Sequence, residues 1–78
     1  MADGAFKIFE LAAEAAYSAM YDAHPLEVKD HYETARLNLF RAIESAHRAG
    51  SDDEAARLAL RLEQIQQVYN HQFRGVGR

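Results

Sequence analysis

Cysteine is absent from the 78 residues, which excludes a disulfide framework and any thiolate metal site. Tryptophan is absent too, and proline occurs once, at Pro25. The four glycines stand at 4, 50, 75 and 77. A chain so poor in breakers can sustain long helices, and the few breakers mark where they end. No run reaches the roughly 18 apolar residues that a bilayer span requires. The opening residues, Met1-Ala2-Asp3-Gly4, lack the positive charge that begins a secretory signal. The expected location is therefore the cytoplasm.

What is present is the composition of a folded domain, with 49% hydrophobic and 27% charged residues. A chain of this size is expected to form one domain with one modest core. Alanine occurs fifteen times, and arginine outnumbers lysine seven to two. Both habits suit a GC-rich bacterial or phage genome. The net charge of −3 is unevenly placed: residues 1–35 carry −5 and residues 36–78 carry +2. Such polarity fits head-to-tail self-association or a two-signed partner surface, as well as ordinary solvated faces.

The apolar spacing predicts an all-α fold of three helices. Helix 1 is expected at about residues 4–23, with Asp3 as N-cap and Phe6, Phe9, Ala13, Ala16 and Met20 on one face. Lys7, Glu10, Glu14, Ser18 and Asp22 form its polar stripe. His24-Pro25 opens helix 2, expected at about 25–49, with proline at the first helical position. Its seam is Val28, Tyr32, Ala35, Leu39, Ala42, Ala46 and Ala49, a heptad pattern closed by Gly50. Ser51-Asp52-Asp53-Glu54 has the form of a capping box and starts helix 3, expected at about 52–73. Its seam is Ala55, Leu58, Leu62, Ile65 and Tyr69. Gly75 is placed as a stop, and residues 74–78 as a tail. Short connections between helices of similar length predict an antiparallel, up-down-up bundle with heptad-like seams.

Chemistry has few handles. Glu44 and His47 form E-x-x-H, the spacing of half a carboxylate di-metal site. Yet they lie about 165° and 105° from the helix 2 seam, which favours a solvated face. Glu10 and Glu14 sit on a polar stripe, where nothing predicts the burial that would split their roles as acid and base. No serine or threonine lies on a nucleophile elbow, and no phosphate-cradling loop occurs. A chorismate-mutase type of bundle needs cations inside, whereas helix 1 offers only Lys7. Arg57, Arg61, Arg36, Arg41 and Arg48 are interleaved with acids, so a basic patch for nucleic acid is not expected. The expectation is a non-enzyme without cofactor or resident metal.

The residues that break the pattern are more telling. Leu37 lies about 185° and Phe40 about 125° from the helix 2 seam, so Leu37 should face water and Phe40 should sit at the core margin or outside it. Glu33, Arg41 and Glu44 rim them, an arrangement typical of a protein-contact patch. The expected partner is thus a protein, with homo-oligomerisation as the alternative use of the same residues. A carboxylate/His metal bundle is the other alternative. A second flank of helix 2, Thr34, Asn38 and Ser45, is uncharged and small, and helix 1 or helix 3 is expected to cover it. In size and helical type the chain is similar to small phage- or mobile-element-encoded regulators, including anti-CRISPR inhibitors, and in length to microtubule-interacting three-helix modules. That resemblance carries over no residue. It implies a small inhibitor or regulator that acts by binding a larger protein.

Overall fold

The computed structural model describes residues 5–75, and among these the fold is all-helical. Helix α1 spans Ala5–Asp22, α2 spans Val28–Arg48 and α3 spans Asp52–Val68. A single 3₁₀ turn, Pro25–Glu27, leads into α2, and a π-turn, Tyr69–Phe73, prolongs α3. The expected N-cap at Asp3 and the end of the tail lie outside the described residues.

Each break has a local cause. His24 takes an extended backbone (φ −57°, ψ 141°), as a residue before proline must, and Pro25 starts the next turn. The His24 ring then serves as the cap: its Nδ1 accepts the Leu26 N–H at 3.2 Å. At the far end of α2, Gly50 has φ +74°. The Gly50 N–H donates to the His47 carbonyl at 3.0 Å and the Ser51 N–H to the Ala46 carbonyl at 2.9 Å. Those two bonds make a Schellman motif, which satisfies the last carbonyls of α2.

The capping box differs from expectation. Ser51 occupies the N-cap position of α3, but its side chain makes no capping hydrogen bond. Its partner in the motif, Glu54, binds Arg57 at 2.7 Å instead. A guanidinium one turn away outcompetes a backbone N–H for that carboxylate, because both charges take part. The last helical segment ends at Phe73, two residues before Gly75, as expected; among the described residues only Gly50 adopts positive φ.

The π-turn was not legible in the spacing. In an α-helix, Phe73 would stand beyond Tyr69, on the side away from Arg57 and Arg61. An i→i+5 turn winds more slowly and brings Phe73 back towards the arginine side. There it meets Tyr21 of α1 edge-on, with ring centroids 5.0 Å apart. Tyr69, at the start of the turn, stacks on Tyr32 of α2 at 3.9 Å.

The core is apolar throughout, with no buried polar residue among those described. Met20, Leu39, Leu58 and Ile65 are its largest fully buried side chains. Alanines 13 and 16 on α1 and 35, 42 and 46 on α2 are buried with them. Small contact residues let helix axes approach closely, and α1 and α2 are indeed the closest pair of helices. Helix α3 brings larger residues, Leu58, Leu62 and Ile65, to the same core, and its backbone stays well apart from α1.

Replacing Gly50 by alanine should cost about 1–2 kcal/mol, the price of a left-handed L-residue. No atom lies within 4 Å of the added methyl, so the effect is purely one of backbone. Denaturant unfolding should show a lower midpoint with an unchanged slope.

Candidate functional site

Two surfaces carry the distinctive side chains. The first lies between α1 and α3, where the gap between backbones is spanned by long charged groups. Arg57 grips Glu10 with both terminal nitrogens, at 2.8 and 3.0 Å. One turn on, Arg61 grips Glu14 through Nε and Nη2, at 2.7 and 2.8 Å. Numbers rise together in these pairs, 10 with 57 and 14 with 61. Arg61 also lies over the Tyr17 ring, 5.1 Å from its centroid, and the Tyr17 and Tyr21 hydroxyls are 3.0 Å apart.

These contacts correct the expectation that Glu10 and Glu14 form a solvated acidic stripe. The Glu10 side chain is only 22% exposed. Its hydrogen bonds from Arg57 hold the carboxyl below its ordinary range, against an opposing desolvation effect. Arg57 is raised in turn, first by Glu10 and then by Glu54. Arg61 is raised by its bond to Glu14. Both arginines are neutralised inside the protein, so neither is available to a phosphate without breaking a fork. Both carboxylates are likewise paired, Glu10 with Arg57 and Glu14 with Arg61.

The second surface is the outer face of α2, where the expected contact residues gather. Leu37 is 49% and Phe40 48% exposed, and neither belongs to the core. Phe40 is therefore surface rather than core margin. Glu33, Arg41 and Glu44 lie on the same face at helical spacing. Glu33 accepts a bond from Arg36 at 2.7 Å, whereas Arg41 and Glu44 are exposed and enter no ion pair among the described residues. His47 is turned from Glu44 towards the start of α3, where its Nδ1 lies 3.1 Å from Asp52. Among the described residues no three His, Asp or Glu side chains converge to hold a metal.

The flank of Thr34, Asn38 and Ser45 is covered only in part. Thr34 is exposed, Asn38 and Ser45 are half-buried, and Asn38 donates to the Thr34 carbonyl at 2.9 Å. Comparison with protein families, curated proteins and solved structures finds no match for this chain. No helix among the described residues is long and apolar enough to cross a membrane.

A further exposed group escaped the sequence reading. Ile8 and Leu11 of α1 are each 70% exposed, more than either apolar residue of the α2 face. A wheel of helix 1 drawn around its seam does contain the signal: Ile8, Leu11, Ala12, Ala15 and Ala19 form a second apolar stripe outside that seam.

The Glu10–Arg57 pair predicts a specific acid response. A carboxyl with a folded pKa below its unfolded value of about 4.3 adds stability above that value, and the contribution is lost as pH falls through the folded pKa. Melting temperature should therefore drop between about pH 5 and pH 3. In Glu10→Gln the drop should be shallower, because the group that takes up the proton is gone. Equal slopes in thermal melts of the two proteins would contradict this account.

Proposed function

We propose that this chain is a non-catalytic protein-binding module, a small cytoplasmic regulator or inhibitor of bacterial or phage origin. The observation that carries the proposal is the outer face of α2. Two large apolar side chains three residues apart, Leu37 and Phe40, are each about half exposed and lie outside the core cluster. The charged rim of Glu33, Arg41 and Glu44 would fix orientation while the apolar pair supplies burial. The commitment of the charges elsewhere supports the same reading, since the arginines and acids between α1 and α3 are already paired with one another.

We further infer that the helices run up, down and up. The rising pairs 10 with 57 and 14 with 61 support a common direction for α1 and α3. The falling pairs, Tyr32 with Tyr69 and His47 with Asp52, support the opposite direction for α2. In that arrangement the α2 face lies on an outer ridge, open to a partner along its whole length.

The test is Leu37→Asp combined with Phe40→Ser. Far-UV circular dichroism and melting temperature should change little, because both positions are exposed. Capture of a protein partner from the native host should weaken by about thirty-fold or more, as expected when a hot spot is lost. Undiminished capture by a folded variant would remove the α2 face as the contact. Collapse of the fold would return both residues to the core.

A further inference from the structure

Helix α1 is apolar on two sides. Phe6, Ala13, Ala16 and Met20 face the core. Ile8, Leu11, Ala12 and Ala15 face outwards and are exposed, with Ala19 half-buried beside them. On a wheel of about 100° per residue this outer stripe spans roughly 100°, and its one charge is Asp22, at the last position of the helix, between the directions of Leu11 and Ala15. Lys7 borders it at the other end of the helix, on the same side of the stripe's midline as Asp22, and both are exposed. Glu10 and Glu14, on the side that meets α3, are closed off by their arginines.

We propose that this stripe binds the same stripe of a second copy of the chain, the two α1 helices running antiparallel about a two-fold axis. Two independent features choose that occupant and direction. The first is size. The large residues, Ile8 and Leu11, lie in the N-terminal half and the small ones, Ala15 and Ala19, in the C-terminal half. Antiparallel pairing sets Ile8 against Ala19 of the second copy and Leu11 against Ala15 of the second copy. Bulk then meets space at every level, as close packing requires. Parallel pairing would set isoleucine on isoleucine and leave alanine opposite alanine.

The second feature is charge. With those levels matched, Lys7 falls within a turn of Asp22 of the second copy, on the same side of the contact. A lysine stem spans that offset. Two such pairs form per dimer, one from each end, as a self-complementary two-fold contact demands. Parallel pairing would place one copy's Lys7 and the other copy's Asp22 at opposite ends of the contact, so neither pair could form. The neighbouring flank of α2 adds no obstacle. Its side chains at Thr34, Asn38 and Ser45 are uncharged, and they turn away from the α2 flank whose Tyr32 meets α3. This contact is separate from the Leu37–Phe40 face, so a dimer leaves that face open to a different protein.

Sedimentation equilibrium over a range of concentrations, at low ionic strength, tests the contact. The wild-type chain should be a dimer of 8.8 kDa subunits at high concentration. Ile8→Glu combined with Leu11→Glu should remain helical and become monomeric, its dissociation constant rising by roughly a hundred-fold or more. Lys7→Glu alone and Asp22→Lys alone should each weaken the dimer by roughly ten-fold, since each turns two attractions into repulsions. An equimolar mixture of these two variants should recover the wild-type affinity, because every Lys7–Asp22 contact in the mixed dimer again joins opposite charges. A wild-type monomer at all concentrations would overturn the proposal. So would a dimer indifferent to the Ile8 and Leu11 changes, or one that dissociates only when Leu37 and Phe40 are replaced. Single charge variants that bind as well as wild type would overturn the antiparallel direction.

Discussion

Alanine at the contact between α1 and α2 governs the geometry of this protein. Ala13 and Ala16 on one helix and Ala35, Ala42 and Ala46 on the other are all buried, and side chains of that size bring two backbones close together. A tight pair leaves little interior volume between its members. Helix α3, with leucine and isoleucine on its seam, then rests against the pair rather than sinking between its members. Its distance from α1 is bridged by the longest side chains available, Arg57 and Arg61, and by the rings of Tyr17, Tyr21 and Phe73. The π-turn belongs to the same adjustment, because it re-aims Phe73 at the aromatic end of that gap.

The same constraint explains the open surface. Helix α1 has more apolar residues than one neighbour and one distant third helix can cover. Phe6, Ala13, Ala16 and Met20 use the available interior, and Ile8 and Leu11 are left outside at 70% exposure. A similar remainder exists on α2, where Leu37 and Phe40 lie outside a seam already filled by Ala35, Leu39 and Ala42. Apolar surface of this kind has a cost in water that association removes. The exposed apolar faces are thus a consequence of how little the core can hold.

Charge is used internally as much as externally. The acidic first half and the arginine-rich second half suggest a bipolar surface when read along the chain. In the fold, two acids of α1 face two arginines of α3, so part of that polarity is cancelled within the molecule. Such partly exposed pairs contribute modestly, about 0.5–1 kcal/mol each. Their larger effect is on alignment, since two forks one turn apart allow a single register between helices whose backbones do not touch.

Three helices, their approximate limits, their core faces and the outward direction of Leu37 were determined by the sequence itself, whereas Phe40 was left between core margin and surface. All of these follow from local rules: a period of 3.6 residues, proline at a helix start, glycine at a positive φ. The tertiary structure alone decided what each polar group would meet. Glu54 left its backbone cap for Arg57, Glu10 and Glu14 found guanidiniums 47 residues away, and Phe73 was turned back to Tyr21. It also decided which of the two apolar sides of α1 would be covered. Periodicity assigns a direction around a helix axis but not the distance to a neighbour, and that distance is set only when the side chains of all three helices compete for the same volume.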